Sequence, residues 1–182
     1  MASVADLLLS CGAVRFGDFT LTSGAKSRYY VDVKAASAQP DVLREVAKAM
    51  VAVAKRAGSW DAVAGMELGA VPLATAVSLE SGLPLLIIRK GERTHGTGKR
   101  IEGRDPNGLR VFVVEDVTTS GGSTVQAVQV LRAAGATVTD ACVVVDRESG
   151  GAQALANEKI TLHPLVRVSE LLATPQAREA LK

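Results

Sequence analysis

The chain has 182 residues, of which 47% are hydrophobic and 22% are charged. This composition is that of a globular domain and excludes a disordered or collagen-like chain. A net charge of +2 excludes the strong positive balance that attracts nucleic acid or an anionic membrane. We therefore expect one domain over residues 1–182, with neither nucleic acid nor a membrane as its partner.

The two cysteines, Cys11 and Cys142, match neither a disulfide framework nor a zinc-binding pattern. We interpret them as buried or idle thiols, which suit a reducing compartment. The first residues carry no basic segment, and the apolar run at residues 7–9 is too short for a signal peptide or a membrane-spanning helix. Together these features predict a cytoplasmic protein.

The first third of the chain predicts short elements followed by one long helix. Apolar residues at Val42, Val46 and Met50 share one face of a helix that opens at Pro40 and precedes Gly58. The earlier elements are predicted to be a helix over residues 3–11, a hairpin over residues 14–21 with its turn at Gly17-Asp18, and a strand over residues 28–33.

From residue 62 onward, apolar strands alternate with helices. Strands are predicted over residues 62–64, 85–88, 111–114 and 141–145, with helices over residues 71–81 and 123–134 and one or two short helices after residue 168. These strands are continuously apolar, which indicates that both of their faces are covered. The alternation predicts an α/β fold with a parallel sheet and helices on both faces.

Residues 89–108 interrupt this alternation with little apolar content and five glycines. A long loop in a compact domain is usually functional or disordered. One interpretation is a solvated surface loop, and the other is a mobile lid for an anionic ligand. The lid interpretation depends on the basic residues Arg89, Lys90, Arg93, His95, Lys99, Arg100 and Arg104.

Residues 111–124 join a buried strand, two acids, a turn rich in Gly, Ser and Thr, and a helix start. Ligands of open α/β sheets bind at the carboxyl ends of the strands. The turn offers main-chain N–H groups, hydroxyls and the positive end of a helix dipole, which predicts a phosphate cradle. Glu115 and Asp116 would repel phosphate, so we expect them to bind hydroxyl groups or hydrated Mg²⁺. The pattern predicts a ribose 5-phosphate ligand, and an ordinary helix cap is the alternative.

Residues 111–124 resemble the phosphoribosyl-pyrophosphate motif of type I phosphoribosyltransferases. Three further segments resemble orotate phosphoribosyltransferases: the N-terminal signature at residues 19–32, the catalytic loop from Arg89 to Gly96, and the orotate-binding turn at residues 146–151. The resemblance covers nearly the whole chain. It implies a Rossmann-like fold with a mostly parallel central sheet and a small N-terminal hood, formed mainly by residues 1–35.

The resemblance implies Mg²⁺-dependent transfer of ribose 5-phosphate from 5-phosphoribosyl 1-pyrophosphate to orotate, which yields orotidine 5′-monophosphate and pyrophosphate in UMP biosynthesis. Because pyrophosphate leaves with concentrated negative charge, catalysis needs cations and a dry site. Mg²⁺ is implied to be held through substrate and water near Glu115 and Asp116, without direct protein ligands. A homodimer is also implied, since the family's catalytic loop is shared between subunits.

The resemblance also assigns roles to particular residues. The implied catalytic residues are Arg89, Lys90, Arg93, His95 and Asp116. The implied contacts to phosphoribosyl pyrophosphate are the four loop cations Arg89, Lys90, Arg93 and His95, the acids Glu115 and Asp116, the turn residues Val117, Thr118, Thr119, Ser120, Gly121, Gly122 and Ser123, and the pyrophosphate loop Leu68, Gly69 and Ala70. The implied contacts to orotate are Lys26, Thr119 and Arg147.

Two positions depart from the family pattern. Arg93 stands where many members have a lysine, and it keeps the charge but not the compact ammonium group. Thr22 stands where many bacterial members carry lysine, and Lys26 is a candidate to compensate.

Several residues have a plainer interpretation as well. Arg147 could pair with Asp146 or Glu148 at the surface, Lys26 could be an exposed turn residue and His95 could be a solvated loop residue. His163 and Trp60 are interpreted as structural residues.

Two other functions are alternatives to the transfer of ribose 5-phosphate to orotate. A phosphoribosyltransferase for another base is disfavoured by the sequence Asp146-Arg147-Glu148, because purine-specific relatives usually carry other residues there. A regulator that binds phosphoribosyl pyrophosphate and controls transcription should carry an added helix-turn-helix or a basic face. The basic residues of this chain gather in the loop instead.

Overall fold

The computed structural model describes residues 3–20, 24, 26–91 and 100–181. The helices are α1 (Val4–Ser10), α2 (Val33–Ser37), α3 (Pro40–Ala57), α4 (Ala70–Ser81), α5 (Gly122–Ala133), α6 (Gly151–Asn157), α7 (Val168–Leu172) and α8 (Pro175–Ala180). The strands are β1 (Val14–Thr20), β2 (Lys26–Val31), β3 (Ala62–Met66), β4 (Leu85–Ile88), β5 (Ile101–Glu102), β6 (Val111–Thr118), β7 (Asp140–Asp146) and β8 (Thr161–Arg167).

The central sheet has six strands in the order β5-β4-β3-β6-β7-β8. All neighbouring pairs are parallel except β4 and β5, which are antiparallel. Helices α3 and α4 pack on one face, and α5 and α6 pack on the other. The predicted α/β fold with a mostly parallel sheet is confirmed.

Each central strand contributes to two hydrophobic cores because successive side chains point to opposite faces. On β6, Phe112 and Val114 belong to the core under α3 and α4, whereas Val111 and Val113 belong to the core under α5. All five residues of β3 are buried. This two-sided burial explains the continuously apolar strands in the sequence.

Strand β3 lies between β4 and β6, although it precedes both in the chain. The chain therefore leaves β3 toward one side of the sheet and later returns on the other. The crevice outside the carboxyl ends of β3 and β6 is the topological switch point of this sheet, which is where open α/β folds bind ligands.

The long helix α3 has the bounds that its sequence predicts. Pro40 occupies its first turn, and the chain leaves the helix at Gly58. Val46 and Met50 on its apolar face are almost fully buried against the sheet. The helix covers one face of the sheet beside α4 and so supports the strands that carry the site.

The N-terminal hairpin corrects one prediction. Strand β1 continues through Gly17 and Asp18, where an irregularity between Phe16 and Phe19 shifts its register against β2. The predicted turn at Gly17-Asp18 is therefore wrong, because a bulge uses the same residue types as a tight turn. The chain reverses between Thr20 and Lys26, which pair directly.

The structure also contains elements that the sequence pattern missed: α2, β5, α6 and β8. Strand β8 was missed because His163 and Pro164 interrupt its apolar pattern. Proline is tolerated there because β8 is at the edge of the sheet. Residues 89–108 are not wholly irregular, since β5 pairs with β4, and residues 92–99 lie outside the described residues. The short helices expected after residue 168 are confirmed as α7 and α8.

None of the helices in the described ranges combines the length and apolar character needed to cross a membrane.

Candidate active site

The turn between β6 and α5 has the form of an anion cradle. Within the described part of the chain, no hydrogen bond uses the main-chain N–H groups of residues 119–124. Gly121 has φ of 82°, a left-handed conformation that favours glycine, and it caps the first turn of α5. A side chain at Gly121 would come within 3.0 Å of the Gly151 carbonyl oxygen. Free donors at a helix N-terminus are suited to a phosphate group.

Glu115 lies inside β6 and is 6% exposed. The sequence places both acids just after the strand, whereas the strand continues to Thr118. One carboxylate oxygen of Glu115 accepts from Ser123 Oγ at 2.9 Å, and the other accepts from the Asp116 main-chain N–H at 3.1 Å. Burial, followed by the negative charge of Asp116, raises the pKa of Glu115 to about 8. The raised pKa favours the protonated form of this carboxyl.

Asp116 is half-buried and faces the loop after β3. Its Oδ1 accepts from the Val117 main-chain N–H at 2.8 Å. A side chain at Gly69 would collide with the Asp116 carboxylate, so glycine is required for the two segments to approach. The contact brings the predicted pyrophosphate loop and the acidic strand together at the switch point of the sheet.

The predicted pyrophosphate loop is also joined to the start of the predicted lid. The Lys90 main-chain N–H donates to Glu67 Oε1 at 2.8 Å, and the Lys90 side chain is exposed. Arg89 Nε donates to Glu102 Oε1 at 2.9 Å, and Arg100 donates to the carbonyls of Arg89 and Lys90. The sequence did not indicate these anchors, because no local spacing relates Glu67 to Lys90.

The predicted orotate-binding turn begins where β7 ends. The Arg147 main-chain N–H donates to the Thr118 carbonyl at 3.0 Å, which joins this turn to the phosphate cradle. The Arg147 guanidinium carbon lies 5.4 Å from the ring centroid of Tyr29 on β2. The surface alternative fails, since Arg147 makes no ion pair with Asp146, Glu148 or any other acid among the described residues.

His163 and Trp60 have the structural roles that the sequence suggested, whereas Lys26 lies at the surface. His163 Nε2 lies 2.7 Å from Asp140 Oδ1. Trp60 packs against Phe112 and donates to the Ala54 carbonyl at 2.9 Å. Lys26 is exposed at the start of β2, and its ammonium group donates to Thr20 Oγ1 at 2.7 Å.

The structure thus gathers most of the predicted site residues at one edge of the sheet. Residues 68–70 and Arg147 follow β3 and β7, and residues 115–123 form the last part of β6 and the turn after it. The carboxyl ends of these three strands are adjacent. Two predicted catalytic residues, Arg93 and His95, lie outside the described residues. No signal in the sequence relates Tyr29 to Arg147, because only the tertiary fold brings the hairpin to this end of the sheet.

These residues could assist a metal ion but not enclose one. Among the residues that the structure describes, no group of three or more His, Cys, Asp or Glu side chains has the arrangement of a metal site. Mg²⁺ is often held by one or two carboxylates together with substrate phosphates and waters. The Asp116 carboxylate suits that role, whereas the protonated, hydrogen-bonded Glu115 suits direct coordination less.

Comparison with known proteins identifies the class of protein to which the chain belongs. A family model described as a phosphoribosyl transferase domain matches residues 32–166, which include β3, β6, β7 and their loops. The chain is therefore a phosphoribosyltransferase by family, and its fold is that of the type I members.

Individual relatives identify the family within this class. The chain is 49% identical over 166 residues to an orotate phosphoribosyltransferase of Pyrococcus abyssi, with 91% of each chain covered. A crystal structure of orotate phosphoribosyltransferase from Aeropyrum pernix matches at a TM-score of 0.84 and 33% identity, covering 93% of this chain and 96% of that one. The Mycobacterium tuberculosis enzyme in complex with 5-phospho-α-D-ribosyl 1-diphosphate matches at 0.78 and 30% identity, covering 92% and 96%. The chain belongs to the orotate phosphoribosyltransferase family.

Proposed function

We propose that this chain transfers ribose 5-phosphate from 5-phosphoribosyl 1-pyrophosphate to orotate in de novo UMP biosynthesis, with Mg²⁺ as the cofactor. The products are orotidine 5′-monophosphate and pyrophosphate. The observation that carries the proposal is the meeting of three segments at the carboxyl end of the sheet. They are the main-chain N–H groups of residues 119–124, Asp116 against Gly69, and Arg147. Among the described residues, these N–H groups have no hydrogen-bond partner and Arg147 has no ion pair. Family membership supports the same reaction.

The cradle at residues 118–123 binds the 5′-phosphate through main-chain and hydroxyl donors. The carboxylate of Asp116 accepts hydrogen bonds from the ribose hydroxyls. The buried Glu115 side chain holds the Asp116 main chain through the hydrogen bond from its N–H. We assign the main chain of residues 68–70 to pyrophosphate, and the closeness of Gly69 to Asp116 supports this assignment. In this arrangement the phosphate groups of the donor substrate meet hydrogen-bond donors, and its ribose hydroxyls meet a carboxylate acceptor.

The reaction has no protein nucleophile in this proposal. As the bond to pyrophosphate breaks, negative charge grows on the leaving group and positive charge grows on the ribose carbon. Cations at the leaving group lower the free energy of that transition state. We assign this role to Lys90 and Arg89 and, outside the described residues, to Arg93 and His95. Bound Mg²⁺ would supply further neutralisation of the pyrophosphate charge near Asp116.

Orotate is assigned to Arg147, Thr119 and Lys26. The planar guanidinium of Arg147 can bind a carboxylate through two parallel hydrogen bonds. Thr119 is exposed at the mouth of the cradle, and Lys26 is exposed on the hairpin. A base that carries a carboxylate is the natural partner of Arg147, which forms no ion pair with an acid among the described residues.

The assembly and location are also proposals. We propose a homodimer that shares the catalytic loop between subunits, with residues 1–182 as one domain and residues 1–35 as most of its hood. The free thiols of Cys11 and Cys142 support a reducing, cytoplasmic location. Sedimentation of the purified chain tests the dimer.

The activity is tested by following the ultraviolet absorbance of orotate mixed with the protein, phosphoribosyl pyrophosphate and Mg²⁺. We expect absorbance to fall only when all the components are present. The variant Arg147→Ala is the matched control, since it should still bind phosphoribosyl pyrophosphate in calorimetry but should convert orotate poorly. If the wild-type protein binds phosphoribosyl pyrophosphate and leaves orotate unchanged, the proposal is wrong and other bases become the substrates to test.

A further inference from the structure

The side chain of Arg147 is half-buried and is held in an unusual way for a cation. Its guanidinium carbon lies 5.4 Å from the centroid of the Tyr29 ring, and its Nε is buried without a hydrogen-bond partner among the described residues. Tyr29 belongs to β2 of the hairpin, whereas Arg147 follows β7 of the central sheet. The contact therefore joins the hairpin to the carboxyl end of the central sheet, at the proposed orotate site.

The acids beside Arg147 are occupied elsewhere. Asp146 Oδ1 accepts from the Glu148 main-chain N–H at 2.8 Å. Glu148 Oε2 accepts from the Ser169 main-chain N–H at 2.8 Å, and this bond lowers the pKa of Glu148. The turn is thus fixed by its own acids, and neither of them neutralises the guanidinium.

Contact with an aromatic ring suits a guanidinium that must bind something else. The ring attracts the cation through its face and leaves the in-plane N–H donors free. An ion pair with a protein carboxylate would instead use those donors. Tyr29 can therefore hold the plane of Arg147 while its donors remain available to a planar, carboxylate-bearing base.

We propose that Tyr29 is a positioning residue that sets specificity for the carboxylate of the acceptor base by orienting Arg147. This inference rests on the proposed function. It assigns the part of the hairpin that faces β7 to recognition of the base and leaves recognition of phosphoribosyl pyrophosphate to the sheet.

The test compares Tyr29→Leu, which removes the ring, with Tyr29→Phe, which keeps its face. With phosphoribosyl pyrophosphate saturating, we expect Tyr29→Leu to raise the KM for orotate about tenfold or more, the scale of one lost oriented contact. The KM for phosphoribosyl pyrophosphate should stay within about twofold of wild type, and Tyr29→Phe should behave like wild type. The ratio of kcat/KM for orotate to that for uracil, which lacks the carboxylate, should fall in Tyr29→Leu.

The hairpin offers a matched control. The Arg15 guanidinium carbon lies 5.3 Å from the ring centroid of Tyr30, so Arg15→Ala removes a similar pair from the same hairpin. We expect this exposed substitution to leave both KM values unchanged. In an Arg147→Ala background, Tyr29→Leu should cause no further loss toward orotate, because its effect acts through Arg147.

Three results would overturn the inference: equal increases in both KM values, a Tyr29→Phe variant as impaired as Tyr29→Leu, or an undiminished Tyr29→Leu effect without Arg147. If Tyr29→Leu does not fold, Tyr29→Trp provides the second variant. Trp keeps an aromatic face, so its retained orotate preference supports the proposal and its loss contradicts it. A wild-type protein without orotate turnover would instead refute the proposed function.

Discussion

The buried carboxyl of Glu115 makes stability depend on pH in an unusual direction. Burial and the neighbouring Asp116 raise its pKa from 4.5 to about 8. As pH rises above 4.5, the unfolded chain loses this proton while the folded chain retains it until about pH 8. The proton-binding difference therefore stabilises the fold fully at low pH, and this contribution is lost as pH rises through the folded pKa.

The substitution Glu115→Gln isolates this effect, because glutamine has the shape of the protonated acid and does not titrate. Each pH unit between the two pKa values is worth about 1.4 kcal/mol. Between pH 5 and pH 8, the free energy of unfolding of the wild type should thus fall by about 3–4 kcal/mol relative to the variant. Glutamine can still accept one of the hydrogen bonds from Ser123 or Asp116 and can donate to Ser123 Oγ.

Urea unfolding followed by circular dichroism at pH 5, 6, 7 and 8 measures the difference between the two proteins. Groups that do not interact with Glu115 titrate equally in both proteins, so their contributions cancel in the difference. Asp116→Asn is the second arm, since removing that charge should make the pH dependence weaker while burial maintains part of it. A difference between wild type and Glu115→Gln that stays constant from pH 5 to pH 8 would refute the reasoning.

Three further predictions address the site and the core. Gly69→Ala should displace the Asp116 carboxylate and lower kcat/KM by about 10²-fold with little change in thermal stability, and normal activity would contradict the required glycine. Lys90→Ala should lower kcat by about 10²–10³-fold and weaken orotate binding far less, and equal losses in both would contradict its role at the leaving group. Burial raises the pKa of Cys142 to about 12, so iodoacetamide at pH 8 should modify it only after denaturation, as peptide mass mapping can show.

The sequence predicted the central fold well because its signals are local. Apolar runs with glycine and proline at their ends mark β3, β4, β6 and β7 within a few residues. The errors occur where one residue type serves two structures. Gly17 in a bulge looks like Gly17 in a turn, and Pro164 in an edge strand looks like a strand breaker.

The site was predictable to the extent that its chemistry is contiguous. The acids and the cradle of residues 115–123 form one segment, so their association required no knowledge of the tertiary fold. Burial of Glu115 was not predictable, because it depends on how far β6 extends. The contact of Tyr29 with Arg147 was also out of reach, since more than a hundred residues separate them in sequence.

The contacts between the loops of the site explain why substrate binding and neutralisation of the leaving group's charge depend on different residues. Gly69 meets Asp116, Gly121 meets Gly151, and the Thr118 carbonyl accepts from Arg147, so the loops of three strands are joined by glycines and main-chain groups. These close contacts cannot move independently. The start of the predicted lid is joined to this frame differently, through one hydrogen bond from the Lys90 main chain to Glu67. Substitutions of the glycines in this frame should therefore alter binding of both substrates, whereas substitutions at Lys90 should alter the rate of the chemical step.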